Sequence, residues 1–497
     1  MSGPGGSDQR AADGPAVAAH IDGDRLLRAD FVVTMNDALE VVPGGAVLVR
    51  GSQIEAVGAA SDLAARYPRA DVVDLAGRLL MPGLVNAHHH SGVLRGTAEH
   101  LPVWEWLRLH IDPMHRVLRP HEAEAASWLC YAEGLLSGTT TVVDMWRYMQ
   151  GSARAADALG NRLVTVNYVG AHPDYDYFDT LDDNEAMLEQ WSAGGAAAAG
   201  AASGVGGGAG GRIYPWVGLE HPFYADEAGQ RRALALAEKY DTGFYTHCSE
   251  SQIEVAEFEA RYGARPMFAL EKLGFFDVPR AMIAHAVWLD AAEVSLIASR
   301  GVGVSHNPVS NMKLASGMAP VAEYLAAGVN VGIGTDGEKE NNNLDMFEEM
   351  KVASLLGKLR TMDAAAMDSW PVLQMATRGG ARALGLDAVI GSLEPGKKAD
   401  LIAVRTDTPR MTPLIGSGPY ANLHHNLVHA VRGSDVDLTM VDGRLLVQDG
   451  RLLTADLADL IARARAVVPD LFARRTAYLA SVSDASGPAG LFTPPAA

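Results

Sequence analysis

Residues 81–93 read LMPGLVNAHHHSG and set three histidines side by side, His88, His89 and His90. Imidazole is the commonest protein metal ligand near neutral pH. Three neighbours cannot all aim at one point from an ordinary backbone. Along a strand, however, side chains alternate between faces, so His88 and His90 can share one face while His89 takes the other. Other polar residues stand at the ends of apolar bursts: Glu220 and His221 in VGLEH, His247 in THCSE, His285 in IAHAVW, His306 in GVSHNP and Asp336 in GIGTDG. Of 16 histidines, seven occupy such ends, His89 included, which scatter or ordinary core packing does not produce.

His247 and Asp336 could complete a site with His88 and His90, leaving one position to water. That is a catalytic set of nitrogen and oxygen ligands, not a closed structural one. Glu250 stands three residues past His247, where a carboxylate beside a metal can move protons between water and substrate. It reads equally as a first-turn helix glutamate. A lone buried histidine is usually structural, but His285, at a strand end opposite Asp336, could orient the water or polarise the substrate.

Eight strand-like bursts carry these residues: MPGLVNA, TTTVVDMW, RLVTVNYVG, IYPWVGLEH, TGFYTHCSE, AMIAHAVW, GVGVSHNP and VNVGIGTDG. Helix-like stretches rich in Ala, Leu and Glu separate most of them. The alternation predicts an α/β fold, a (β/α)8 TIM barrel over residues 81–387, whose active site lies at the C-terminal strand ends. Short alternating stretches at 22–80 and 388–453, with hairpin-like turns in VDGRL and QDGRL, predict a β-sandwich domain built from both chain ends. Residues 1–21 read as a disordered tail and 454–497 as a helix followed by a tail. The uncharged run at 193–211, AGGAAAAGAASGVGGGAGG, predicts a flexible surface loop before the fourth strand.

The net charge of −19 argues against nucleic acid and anionic membrane surfaces as partners and favours a small neutral or cationic ligand. Two cysteines 118 positions apart, Cys130 and Cys248, predict reduced thiols and a cytoplasmic protein. No run of eighteen apolar residues predicts a membrane span, and the N-terminus lacks the basic start and apolar core of a signal peptide.

Taken together, PGLVNAHHH, THCSE, AHAVWLD, SHNPVSNMKLASGMAPV and GTDGEKENNNLDMFEEM resemble the amidohydrolase superfamily, most of all the branch of S-adenosylhomocysteine/methylthioadenosine deaminases and atrazine chlorohydrolase-like triazine hydrolases. The resemblance runs from about residue 22 to 453. It implies one divalent metal per subunit, zinc first and iron second, held by His88, His90, His247 and Asp336. Glu250 and His285 match the family's acid/base pair, and His221, in LEHPFY, matches a substrate-contacting histidine. It also implies a homo-oligomer, a dimer or larger. Binuclear members carry a lysine on the fourth strand; here no lysine precedes Lys239, so a mononuclear site is expected. The Pro-Cys-x-x-Cys signature of the unrelated zinc deaminases is absent.

Two segments depart from the adenosine-type pattern. A ribose-gripping glutamate, in a segment like LPIEDRL, is replaced by DPMHRVL and His115. A neutral GTDGAASNN becomes GTDGEKENNN, with Glu338, Lys339 and Glu340 beside Asp336. Both changes weigh against carrying over a nucleoside substrate. Substrate contacts are expected from His221, His115, Trp106 and Glu338. The expected activity is that of an aminohydrolase, with a metal-activated water attacking a nitrogen heterocycle and releasing ammonia. Amide or carbamate hydrolysis, or loss of chloride or an amine from a triazine, would use the same residues. A non-catalytic protein on a retired barrel would have lost ligands that are all present here.

Overall fold

The computed structural model describes residues 23–172, 177–192 and 208–486. The expected tails at 1–21 and beyond 486, and most of the Gly/Ala-rich insert, lie outside these residues. Gly208–Gly211 forms a helical turn leading into the fourth barrel strand.

Short strands punctuated by glycine make up the N-terminal segment: β1 (Asp24–Val33), β2 (Val41–Pro43), β3 (Gly45–Arg50), β4 (Gln53–Ala59) and β5 (Asp71–Pro82). Eight barrel strands follow: β6 (Leu84–His89), β7 (Thr139–Trp146), β8 (Arg162–Asn167), β9 (Ile213–Gly218), β10 (Gly243–Cys248), β11 (Arg280–His285), β12 (Gly303–His306) and β13 (Asn330–Ile333). Each coincides with one of the eight apolar bursts, β6 running on to His89 and β11 starting one residue early at Arg280. They pair in parallel and close into a barrel, β13 returning to β6 at Ile333 and Asn86. Strands β6 to β10 are buried along their whole length, as parallel strands covered on both faces must be.

The chain then returns to the first domain with β14 (Leu401–Arg405), β15 (Val436–Val441), β16 (Arg444–Gln448) and β17 (Arg451–Leu452). Strand β14 lies antiparallel to β5, Leu401 opposite Pro82, so both chain ends share one nine-stranded sheet. Leu27, Val47, Leu80, Leu401 and Met440 from both segments pack into one apolar cluster within it.

Two features fix this sheet domain to the barrel. At Gly83, between β5 and β6, a Cβ would come within 2.2 Å of the Thr140 side chain, so the crossing admits no side chain. At the start of β8, buried Arg162 donates twice to Asp400, at 3.0 Å each, and Asp400 also accepts from the Asp442 amide. The N-terminal end of the barrel is thereby tied down and its C-terminal rim left to the loops, the division between stability and chemistry usual in such barrels.

The longest described rim excursion follows β6. It contains the helix Val103–Trp106, a π-helical turn Leu107–Ile111 and the helix Asp112–Val117. Residues of the C-terminal helix Leu457–Ser486 hold it from outside: Arg474 donates to the Val117 carbonyl and to both carboxylate oxygens of Glu122. No helix among the described residues is long and apolar enough to cross a membrane.

Candidate active site

His88 and His90 point inward from the end of β6, and His247 meets them from β10. Its Nε2 lies 3.1 Å from the Nε2 of each. Asp336, three residues past β13, places Oδ1 3.5 Å from Nε2 of both His88 and His90. Four donors arranged tetrahedrally about 2.0–2.1 Å from a zinc ion stand roughly 3.3–3.4 Å apart. The donor set therefore fits one divalent ion.

The tautomers suit this role. His90 Nδ1 faces the Met145 carbonyl and His247 Nδ1 the Glu220 carbonyl, at 2.5 and 2.6 Å. Donation to a carbonyl fixes the proton on Nδ1 and leaves the Nε2 lone pair for a cation. His88 Nδ1 is 3.1 Å from the Tyr245 hydroxyl, and the two rings stack. Burial lowers the pKa of all three histidines, that of His247 to about 3, which keeps them neutral, the form in which imidazole can bind a metal.

His89 turns the other way. Its Nδ1 lies 3.1 Å from the backbone carbonyl of Asp336, and its ring sits behind the barrel with Asn86, Cys130 and Tyr131. It braces the loop bearing Asp336 without joining the inward group.

The expected acid/base pair stands just past β10 and at the end of β11. His285 Nε2 lies 3.8 Å from Glu250 Oε2 and 3.7 Å from Asp336 Oδ2. Burial pulls the His285 pKa down, but the Glu250 and Asp336 carboxylates more than offset it, and the net direction is up. On its other side, His285 Nδ1 lies 2.9 Å from Asn311 Oδ1. Burial raises the Glu250 carboxyl above its ordinary value, against the pull of His285 and the Ser316 hydroxyl, which donates to Oε1 at 2.7 Å. Ser249, His285 and Asp336 all hold a left-handed backbone (φ 57°, 70° and 59°), a conformation that costs a non-glycine residue about 1–3 kcal/mol and gathers at functional sites.

One cavity joins these groups to the expected specificity residues. His90, His247, Glu250, His285 and Asp336 line its floor; His221, His115 and Trp106 line its walls. His221 Nε2 lies 3.0 Å from Glu254 Oε1, and Glu254 also accepts from the Ser249 and Glu250 amides. Those contacts outweigh burial and hold the Glu254 carboxyl below its ordinary value. His115 is fully enclosed, stacked on Tyr168 at 4.5 Å and edge-on to Trp146, and its carbonyl accepts from Arg147 Nη1. Arg147 is itself paired with buried Asp179 at 3.0 Å.

Glu338 departs from expectation. Its Oε1 accepts from the Leu94 amide and sits so close to Gly92 that a Cβ there would lie 2.2 Å away; it does not line the cavity. The short helix Glu338–Asn341 instead turns Lys339 and Glu340 inward. Glu220, noted at its strand end but given no role, lines the cavity hydrogen-bonded to Tyr168 at 3.2 Å; Tyr168 and Glu254 also line it and escaped sequence reasoning. Glu254 could have been found one helical turn after Glu250; Tyr168 carries no such signal.

Residues 79–446 match the amidohydrolase family, and 45–70 match an imidazolonepropionase-like composite domain. The chain belongs to the amidohydrolase family. Among named relatives, it is 38% identical over 447 residues to a 5-methylthioadenosine/S-adenosylhomocysteine deaminase of Syntrophobacter fumaroxidans, covering 89% of this chain and 97% of that one. It is 35% identical over 454 residues to a 5'-deoxyadenosine deaminase of Methanosarcina mazei, covering 91% and 99%. Among solved structures, an adenosine deaminase from Xanthomonas campestris with bound zinc superposes with a TM-score of 0.82 at 32% identity, covering 91% and 99%. The zinc complex of atrazine chlorohydrolase from Arthrobacter aurescens gives 0.77 at 25%, covering 90% and 100%.

Proposed function

We propose that the chain is a metal-dependent aminohydrolase that replaces the amino group of a nitrogen heterocycle with oxygen and releases ammonia. The observation that carries this reading is the convergence of His88, His90, His247 and Asp336 beside a Glu250–His285 pair, all but His88 lining one cavity. His88, His90, His247 and Asp336 would hold a divalent ion, which would supply Lewis acidity to activate water near neutral pH.

Glu250, whose carboxyl burial raises above its ordinary value, is placed to exchange protons between water and substrate. It takes a proton from the attacking water and delivers it to the ring nitrogen beside the amino-bearing carbon. As the carbon–nitrogen bond breaks, the second water proton leaves with ammonia. His285 turns Nε2 toward both Asp336 and Glu250, which orients the water and donates to the developing oxyanion.

Zinc as the metal is supported by the zinc-bearing relatives. A cytoplasmic location is supported by two buried, unpaired cysteines. A homo-oligomer is supported by Leu355, Leu359 and Met362, exposed on and just after the helix Met346–Thr361; light scattering on the eluted protein tests it. The activity is tested by assaying ammonia release from the zinc-loaded protein over purine, pyrimidine and triazine amines and a matched set of acyl amides. Turnover of the heterocyclic amines is expected; turnover of acyl amides alone overturns the reading.

A further inference from the structure

We propose that Lys339 and Glu340, together with His115, form a recognition subsite for a lactam edge, a ring C=O next to a ring N–H, on the substrate heterocycle. This rests on the aminohydrolase reading and specifies the class of heterocycle.

The pair is built into the cavity wall. Lys339 Nζ lies 3.1 Å from Glu340 Oε1, and both residues are almost wholly buried, at 2% and 3% exposure. Their position depends on Gly337, where a Cβ would stand 2.1 Å from Glu340 Oε2 and 2.8 Å from Lys339 Nζ. Lys339 Nζ lies 5.4 Å from the centre of the Trp146 ring, and the His115 ring meets the same indole edge-on at 5.4 Å. Ammonium and imidazole thus both meet the Trp146 ring, with the carboxyl paired to the ammonium, and all three line the same cavity as His90 and Asp336.

Much hydrogen-bonding capacity is unused there. Among the described residues, Glu340 Oε2 and both ring nitrogens of His115 have no hydrogen-bond partner, and Lys339 Nζ has the Glu340 ion pair and the Trp146 ring but no further polar partner. Buried polar atoms are nearly always satisfied. A ligand that satisfies them gains what their isolation costs.

The chemistry of that ligand follows from the pair. A carboxylate would meet Glu340 and an ammonium would meet Lys339, so either charge is opposed. A sugar diol asks one carboxylate to accept from two hydroxyls, and here one oxygen already faces Lys339. A neutral planar group with an acceptor beside a donor answers both: Lys339 donates to its carbonyl and Glu340 Oε2 accepts its N–H. The flat walls of Trp106 and Tyr168 suit a planar ring.

Isocytosine and 2-aminopyrimidine share an amino-bearing ring and differ by the lactam carbonyl. Calorimetric titration of the zinc-loaded protein with each is expected to show isocytosine bound about 10- to 100-fold more tightly. In the double variant Lys339→Met, Glu340→Gln, which removes both charges and strands neither, that ratio should collapse toward one; His115→Phe should lower it in part. Zinc content and melting temperature are measured first, and Lys339→Gln substitutes if the double variant fails to hold zinc. Equal binding of the two probes by the wild type, or an unchanged ratio in the variants, overturns the subsite. So does tighter binding of adenosine that the same variants abolish. Lactam preference without ammonia release from any heterocyclic amine would sink the aminohydrolase reading alone; ammonia release without lactam preference would sink the subsite alone.

Discussion

Replacing Gly334 by alanine tests how closely the barrel interior holds the proposed metal ligands. Gly334 follows β13, and its backbone is open to alanine, since its φ is not left-handed. Space is what forbids the change. The new Cβ would lie 2.5 Å from Asn307 Oδ1, 2.7 Å from Ser305 Oγ and 2.8 Å from His88 Cβ. Relaxed carbon contacts lie at about 3.5–4.0 Å, so the His88 side chain must retreat by roughly 0.7 Å. Overpacking of this kind costs about 1–3 kcal/mol. Since sites need their first contacts held to about 0.5 Å, the retreat also spoils the convergence of His88 with His247. Zinc affinity, measured by competition with a chromophoric chelator, is expected to fall about 10- to 100-fold, as for losses of ligand orientation generally. The metal-free melting temperature should fall with it. Gly58→Ala, whose Cβ meets nothing within 4 Å, serves as the control. If Gly334→Ala keeps both zinc affinity and melting temperature at the level of the control, the barrel interior is softer than this reasoning requires and His88 is not held as described.

Three further outcomes are expected. His88→Ala and His90→Ala should each remove zinc and activity together, whereas His89→Ala should keep zinc while losing the brace on the Asp336 carbonyl; metal analysis showing equal loss in all three would refute the division of labour. Glu250→Gln should retain zinc and lower kcat by a factor of about 10²–10⁴, the usual size of a general acid/base contribution, and near-normal turnover would remove Glu250 from the proton path. His306, buried at the end of β12, has its pKa lowered by burial to about 3 from 6.5. A depressed histidine stabilises the fold above pH 6.5, and that contribution is lost as pH falls toward 3, by roughly 1.4 kcal/mol per pH unit. Melting curves of the metal-free protein over that window should therefore fall less steeply for His306→Gln than for the wild type, and parallel curves would contradict the assignment.

The sequence alone determined the spacing of the proposed ligands and the order of the strands. His88 and His90 share a face because β-strand side chains repeat every two residues, and no tertiary contact is needed to know it. Eight apolar bursts of strand length, alternating with helical stretches, likewise define a barrel locally. The rim is different. Glu338, Lys339 and Glu340 are consecutive on a single helical turn, each about 100° round from the last. Which of them meets the cavity depends on how that turn docks against Gly92 and Leu94, some 240 residues away in sequence. His115 belongs to the wall only because Arg147, paired with Asp179, holds its carbonyl and the C-terminal helix holds the segment from outside. Such contacts join residues far apart in the chain and leave no periodic trace in it. The metal chemistry was therefore written in the strands, and the shape that chooses a substrate arose only when the loops closed over them.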